Sequence, residues 1–113
     1  MKAARLGDST KGSFTASWCS HPTKTGKKHP GGPVSGTIKS GSPNVFVNGK
    51  PAARVGDTVY ETCSCRNGNG KISQGSSTVF VNGKPKARLS DKVNEHTDRD
   101  GKITSSSNNV FVG

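Results

Sequence analysis

The feature that most constrains the fold of this chain is a short repeat, of which one copy is divided between the two ends. Residues 42–57 read SPNVFVNGKPAARVGD, and residues 76–91 read SSTVFVNGKPKARLSD. The front half returns as SNNVFVG at 107–113, and the back half stands at 2–8 as KAARLGD. This arrangement predicts that the two ends lie side by side and complete a third unit. Three like units would then close into a ring with few free strand edges.

Each unit carries the signals of a tight β-hairpin. The Val-Phe-Val segment is β-branched and aromatic, which favours a strand. It is followed by Asn48-Gly49 in one copy and by Asn82-Gly83 in the other. Asn-Gly suits a two-residue turn in which both residues have positive φ. No segment shows a sustained helical period. The sequence therefore predicts an all-β fold of three β-hairpin repeats related by a pseudo-threefold axis.

A second alignment lies between the hairpins, where a Gly-X-Ile triplet precedes each Val-Phe-Val segment at a constant interval. We expect its isoleucines to form a small core around the threefold axis; they are Ile38, Ile72 and Ile103. The remaining segments, about 9–35, 58–69 and 92–100, are predicted to connect the units. The first is the longest, and its Gly, Pro and Lys content indicates a loop.

Composition indicates that such a chain needs a staple. Only 27% of its 113 residues are hydrophobic, and little apolar burial is then available to offset the entropy of ordering the backbone. A chain of this kind is either disordered or held by a disulfide, a metal or a partner. The ordered repeat argues against disorder. Three cysteines cannot all be used in a closed disulfide framework, and three histidines accompany them, which favours a metal site.

All six cysteines and histidines fall in the three connecting segments. Cys19, His21 and His29 are in the first segment, Cys63 and Cys65 in the second, and His96 in the third. A threefold axis would bring these segments together at one end of the molecule. Zinc binds four such nitrogen and sulfur ligands in a tetrahedron, so the sequence predicts a structural zinc site there.

Register helps to choose among the candidates. Cys65 stands five residues before Gly70, and His96 stands five before Gly101, so the two positions are equivalent. The preferred ligands are His21, His29, Cys65 and His96, with Cys63 and Cys19 as reserves. A disulfide with a spare thiol is the alternative. Cys63 and Cys65 are too close in sequence for an unstrained bond, which leaves Cys19 with either of them.

The repeat also carries a resemblance to a known family. Pro51-Ala52-Ala53-Arg54, within SGSPNVFVNGKPAARVGD, is similar to the signature of the PAAR-repeat proteins. The second copy departs from it as Pro85-Lys86-Ala87-Arg88, and the N-terminal copy reads KAARLGD. The likeness extends over essentially the whole chain.

The resemblance implies a small β cone that caps the trimeric β-helical spike of a type VI secretion system or a contractile phage tail. It implies a monomer, one copy per spike trimer, which helps to pierce the target cell envelope and touches the outer membrane transiently. A zinc near the apex is commonly held by three histidines and one cysteine, the composition of the preferred set. The cone would use residues 2 to 113, so we expect one domain, 1–113, without a cargo or toxin extension.

The N-terminal segment and the acidic residues do not suggest another class of protein. The N-terminal MKAARLGDSTKG lacks the apolar core of a signal peptide. We therefore expect synthesis in the cytoplasm, followed by assembly at a phage tail tip or secretion by a type VI system. Asp8, Asp57 and Asp91 recur at the repeat ends, which suits a turn role better than catalysis. The sequence therefore predicts a protein that is not an enzyme.

Net charge supports one alternative function. The chain carries a formal charge of +10, and such chains often bind nucleic acid or anionic surfaces. A small basic β-barrel that binds nucleic acid is therefore the second hypothesis. Against it, no ladder of alternating basic and aromatic residues is present, and the first hypothesis expects no nucleic acid. Attraction of the tip to membrane phosphates is a third use of the charge.

Overall fold

The computed structural model describes residues 1–15, 31–64, 67–97 and 99–112. Within them the chain forms ten strands and no helix. The strands are β1 (Ser9–Phe14), β2 (Gly32–Ile38), β3 (Phe46–Val47), β4 (Lys50–Pro51), β5 (Thr58–Cys63), β6 (Gly68–Ile72), β7 (Phe80–Val81), β8 (Lys84–Pro85), β9 (Lys92–Asn94) and β10 (Asp100–Ile103). The predicted all-β class is confirmed.

The two complete repeats form the expected tight hairpins, β3–β4 and β7–β8. Asn48 and Gly49 have φ angles of 52° and 76°, and Asn82 and Gly83 have 53° and 77°. These are the left-handed angles that the Asn-Gly turn was predicted to need. The returning strands are only two residues long. Ala52 and Lys86, which follow the two prolines, keep backbone hydrogen bonds to Val45 and Val79 of their own repeats and also form bridges to the neighbouring repeats.

The two ends of the chain complete the third unit. Lys2 pairs with Phe111 in an antiparallel bridge. The terminal amine of Met1 donates to the Val112 carbonyl oxygen at 3.1 Å, and the Val112 amide donates to the Met1 oxygen at 2.7 Å. The divided repeat is therefore rejoined by pairing across the whole length of the chain.

The segments predicted to be connections supply most of the strand residues of a barrel. Six strands close into a barrel in the order β1-β10-β9-β6-β5-β2. The barrel consists of three long hairpins, β1–β2, β5–β6 and β9–β10, each paired antiparallel with the next. The interpretation of residues 9–35 as a loop is thus wrong for Ser9–Phe14 and Gly32–Ile38. Likewise, the described residues of 58–69 and 92–100 form strands over Thr58–Cys63, Lys92–Asn94 and the start of β6 and β10.

The barrel core is the predicted threefold cluster. Ile38, Ile72 and Ile103 are at most 1% exposed, and they pack with one another and with small residues. The other buried members are Ala4, Ala53, Val59, Ala87 and Val93. Burial of each isoleucine side chain contributes about 1.5–3 kcal/mol. The prediction made from the Gly-X-Ile alignment is confirmed.

A ring of hydrogen bonds joins the three units on the axis. The amide of Ala4 donates to the carbonyl of Ala87, that of Ala87 donates to Ala53, and that of Ala53 donates to Ala4, at 3.0–3.1 Å. Alanine is the residue that allows three backbones to approach the axis this closely while remaining buried. The second alanine of the repeat therefore closes the ring.

The same three carbonyls hold a buried cation. The Nζ atom of Lys86 donates to the carbonyl oxygens of Ala4, Ala53 and Ala87 at 2.6, 3.2 and 2.8 Å. One acceptor comes from each unit, which places the ammonium close to the pseudo-threefold axis. An ammonium group has three N–H donors, so the number of donors matches the number of acceptors.

The arginine of each repeat is fixed by an aspartate three residues later. The aspartate accepts from the arginine amide and from two of its guanidinium nitrogens. The pairs are Arg5–Asp8 at 3.0 Å, Arg54–Asp57 at 2.9 Å and Arg88–Asp91 at 2.9 Å. This geometry fits the turn role predicted for the three aspartates.

Candidate metal centre and docking face

The three barrel hairpins point their far ends away from the short hairpins. Alternate inward residues along β5 show the order of layers, from Val59 in the isoleucine core through Glu61 to Cys63. Cys63, the last residue of β5, and His96, two residues after β9, lie at these far ends. The other four candidate metal ligands lie outside the described residues. We refer to the far ends of the barrel hairpins as the loop end.

His96 is held by a buried carboxylate. Its Nδ1 atom lies 2.7 Å from Oε1 of Glu61, and its backbone amide donates to the same oxygen at 2.7 Å. Glu61 is completely buried. Because a carboxylate accepts, Nδ1 is the donor of this pair, and the neutral tautomer with its proton on Nδ1 would leave the Nε2 lone pair free to bind a metal. Histidine ligands of metals are oriented by carboxylates in this way.

The Nε2 atom of His96 faces a cysteine. It lies 3.9 Å from the Sγ atom of Cys63, which is half-buried beside Phe14 and Val34. Two ligands of a tetrahedral zinc, with bonds of about 2.1 Å to nitrogen and 2.3 Å to sulfur, stand about 3.6 Å apart. The separation of Nε2 and Sγ is therefore close to that of two zinc ligands.

The structure describes only one residue of the predicted ligand set. That residue is His96, whereas His21, His29 and Cys65, like the reserve Cys19, lie outside the described residues. The other reserve, Cys63, is the cysteine that stands beside His96. In the described ranges no group of three or more His, Cys, Asp or Glu side chains could hold a metal ion. The choice between the two cysteines thus remains a prediction.

Sequence reasoning missed the carboxylates beneath this site. Glu61 and Glu95 occupy equivalent positions, four residues after Asp57 and Asp91, and both point into the barrel. Burial, followed by the neighbouring charge of Glu61, raises the pKa of Glu95 to about 8, so at neutral pH Glu95 holds a proton. The period-two alternation from Val59 and Val93 would have shown that both face inward.

Glycines make the room that these carboxyl groups need. A Cβ atom at Gly70 would lie 2.8 Å from Oε1 of Glu61, and one at Gly101 would lie 2.8 Å from Oε2 of Glu95. Both glycines belong to the Gly-X-Ile triplets. Neither glycine has a positive φ. The glycine therefore recurs at this position of the repeats because side chains approach it closely across the barrel.

The opposite end exposes three equivalent phenylalanines. Phe46, Phe80 and Phe111 are 57%, 56% and 68% exposed. Val47, Val81 and Val112 point the other way and are buried with Ala3 and Ala52. The phenylalanines therefore form the outer set, together with Val45 and Val79, which are each 38% exposed. We refer to the five exposed residues as the phenylalanine face.

Comparison with known families identifies the repeat. The family model of the PAAR motif matches residues 25–96, which is more than half of the chain. The chain belongs to the PAAR-motif family. No curated protein is similar enough to this PAAR protein to count as a match.

Membership of the PAAR-motif family relates this architecture to a role that is known for the family. PAAR proteins are structural components of spike tips in type VI secretion and phage tail machinery, where they associate with a spike. In this PAAR protein the motif residues join the three units to one another. The second alanine makes the axial ring, and the arginine pairs with its aspartate. None of the described residues forms a helix long and apolar enough to span a membrane.

Proposed function

We propose that this chain is the cap of a trimeric β-helical spike in a contractile injection machine, with the phenylalanine face on the spike and the loop end leading. One monomer would bind one trimer, and the cap would help to pierce the target envelope. The machine would be a phage tail or a type VI secretion system, to which the chain is delivered after synthesis in the cytoplasm.

The observation that carries the proposal is the threefold phenylalanine face. Three large aromatic side chains, each more than half exposed, stand at equivalent positions of the three units. An exposed apolar patch of this kind marks an interaction site. A homotrimer ends in three equivalent surfaces, and a single chain with three equivalent hairpins can contact all of them at once.

Co-purification with the candidate trimeric spike tests this assignment. We expect the triple variant Phe46→Ser, Phe80→Ser, Phe111→Ser to lose at least about 100-fold in affinity, because burial of each phenylalanine contributes about 1.5–3 kcal/mol. Native mass spectrometry of the wild-type complex should give one cap per trimer.

Tyr60→Ser is the matched control, because Tyr60 is a 41% exposed aromatic residue on the side of the barrel. It should bind the spike as the wild type does. Unchanged binding of the triple variant would contradict the proposed orientation, and a wild-type chain that ignores the spike would contradict the function.

We also propose that the loop end holds one structural zinc, with His96 as a ligand. The support is the carboxylate behind Nδ1 and the sulfur opposite Nε2. The described geometry favours Cys63 as the sulfur ligand over Cys65, which sequence register prefers. The remaining ligands would come from the first loop, with His21 and His29 as the candidates. A bound zinc would supply folding free energy where the barrel has little apolar core.

Metal content of two single variants separates the cysteines. We expect Cys63→Ser to lose zinc and Cys65→Ser to keep it, as measured by elemental analysis of freshly purified protein. The reverse result would restore the choice made from the sequence. Wild-type protein purified without any bound metal would contradict the site altogether.

We infer, finally, that the chain acts by shape and contact and not by catalysis. Three of its seven acidic residues are engaged in the arginine pairs, and Glu61 is engaged by His96. A hydrolytic metal site needs an open ligand position and a general base beside it. Among the described residues, the carboxylate that contacts His96 is that of Glu61, and its contact is with Nδ1 of the ring.

A further inference from the structure

One side of the barrel carries a row of lysines. Lys92 on β9 lies directly opposite Lys102 on β10, and Lys102 lies directly opposite Lys11 on β1. All three are exposed. Directly opposite side chains in an antiparallel pair have Cβ atoms about 4.5–5.5 Å apart. Three ammonium groups are thus gathered on three adjacent strands, and we refer to Lys92, Lys102 and Lys11 as the lysine row.

The row is extended by a fourth lysine and flanked by hydroxyl groups. Lys71 on β6 lies opposite Asn94, two residues along β9 from Lys92. On the other side, Lys11 lies opposite Ser35 of β2. All of these side chains are exposed. The cationic surface therefore covers β6, β9, β10 and β1, four of the six barrel strands.

The stability of the fold does not account for this row. Like charges on directly opposite residues are destabilising. Ion pairs in the described part of the chain involve the three repeat arginines and His96, and none involves a residue of the row. Of the described acidic side chains, only Asp100 is exposed, on β10 two residues before Lys102. The row is left with an excess of positive charge.

The pseudo-threefold symmetry shows that the fold does not require it. Lys11 stands three residues after Asp8, whereas the equivalent residues in the other units are Tyr60 and Asn94. Lys92 is equivalent to Ser9 and Thr58. On β2 and β5 the exposed residues of the same barrel are mostly hydroxyl-bearing: Ser35, Tyr60 and Thr62. Uncharged residues serve the barrel equally well there, so the charge on the opposite side reflects a partner.

We propose that the lysine row binds the phosphate groups of an anionic membrane surface. Lysine ammonium groups form charge-assisted hydrogen bonds with phosphate oxygens, and each lysine near an anionic surface increases binding about fivefold. Single-stranded nucleic acid is usually bound with aromatic stacking platforms. Among the described barrel strands the one exposed aromatic side chain is Tyr60 on β5, outside the row.

The choice of a membrane rests on the proposed spike-tip role. A tip that enters an envelope with its loop end first brings the side of its barrel level with the lipid headgroups. The row would then steady the tip at the surface through contacts that are independent of the phenylalanine face.

Co-flotation of the full chain with lipid vesicles tests the inference. The probes are vesicles of phosphatidylcholine alone and of phosphatidylcholine mixed with phosphatidylglycerol. We expect binding to the mixed vesicles only, and a fall of about 100-fold in the partition coefficient of the triple variant Lys11→Gln, Lys92→Gln, Lys102→Gln.

The matched control removes three other exposed lysines, Lys39→Gln, Lys50→Gln and Lys84→Gln, and so has the same net charge. It should lose less than about tenfold. Equal losses of vesicle binding in the two triple variants would contradict a role for the lysine row and show that net charge alone sets the binding. The row variant should melt no lower than the wild type, because it relieves repulsion, and this checks that it is folded.

Two further measurements separate this inference from its alternatives. If the row variant loses binding to a single-stranded oligonucleotide while its vesicle binding is unchanged, the partner is a nucleic acid and the membrane proposal is overturned. Co-purification of the row variant with the trimeric spike should match the wild type. Loss of vesicle binding by the row variant therefore does not contradict the proposed spike binding. If the chain fails to bind the spike, the vesicle assay still tests the lysine row.

Discussion

At the scale of single residues, Lys86 is the departure from the family motif that the structure explains best. The equivalent residues of the other units are Ala3 and Ala52. The lysine is 3% exposed, and its ammonium caps the ring of alanine carbonyls. Burial lowers the pKa of Lys86 to about 8, while the charges of Asp8, Asp91 and Asp57 act in the opposite direction. Those aspartates are themselves paired with the repeat arginines.

Stability should respond to the titration of Lys86. Below about pH 8 the folded and unfolded chains both hold the proton, but between about 8 and 10.5 the unfolded chain binds more protons. The free energy of unfolding of the wild type should therefore rise with pH in this window. Lys86→Met lacks the group and serves as the reference, because other titrations then cancel. Urea denaturation of both proteins across the window measures the difference, and a flat or falling difference would contradict the assignment.

At the scale of elements, the short hairpins could be predicted and the barrel strands could not. Val-Phe-Val followed by Asn-Gly strongly predicts a tight hairpin, and this prediction is confirmed by β3–β4 and β7–β8. The barrel interior is narrow, so its inward positions on β1 and β5 hold Thr10, Gly12 and Glu61 beside a few apolar residues. The alternation of apolar and polar residues that identifies a strand is hidden by such an interior.

The candidate site was predictable to a similar degree. The position of His96 at one end followed from the repeat, because equivalent loops must converge around a threefold axis. The alternation from Val59 could have shown that Glu61 faces inward, but no sequence signal pairs its carboxylate with His96. The first loop is longer than the others, so register could not fix which of its residues face the site.

The lysine row gives a prediction for β10. Lys102→Glu should replace two repulsions, with Lys11 and Lys92, by two attractions, and cross-strand charge pairs contribute roughly 0.2–1 kcal/mol each. We expect the free energy of unfolding to rise by about 0.5–2 kcal/mol at low salt, and the gain to shrink as salt is added. Thermal denaturation at two salt concentrations measures it.

Lys39→Glu is the control for that variant, because Lys39 is exposed and lies just beyond the end of β2. It changes the net charge by the same amount, away from the directly opposed lysines. Equal gains from Lys102→Glu and Lys39→Glu would show that net charge, and not the opposition of the three lysines, sets the effect.

At the scale of the whole molecule, two different devices hold the two ends. The end with the short hairpins is closed by the valine and alanine cluster beneath the phenylalanine face and by the pairing of Met1 with Val112. The loop end has only Phe14, Val34 and Cys63 in its apolar cluster among the described residues. The proposed zinc would therefore matter at one end only.

Chelation should loosen the molecule from the loop end. After metal removal we expect much faster hydrogen exchange at the amides of Cys63 and His96, and a smaller increase or none at those of Ala53 and Ala87 in the axial ring. The melting temperature should fall as well. Uniform loss of protection in both regions would show that the ion holds the whole barrel and not its end.

The hairpin end makes the converse prediction. Removal of residues 108–113 takes away Val112, which is 7% exposed, and both hydrogen bonds to Met1. The buried side chain alone contributes about 1.5–3 kcal/mol, so the truncated chain should melt well below the wild type. Val112→Ala should show a smaller loss. Chemical denaturation of the three proteins ranks them, and a truncated chain as stable as the wild type would contradict the rejoined repeat.

The alanine ring also determines when the fold can be completed during synthesis of the chain. Its three hydrogen bonds need Ala4, Ala53 and Ala87 together, and the pairing at Met1 needs Val112. A nascent chain on the ribosome therefore holds two thirds of a barrel that has no way to close. Contacts between residues so far apart in sequence form late and slowly. The barrel can be completed only after nearly all of the chain has left the ribosome, and until then the unfinished protein exposes strand edges that have no partner.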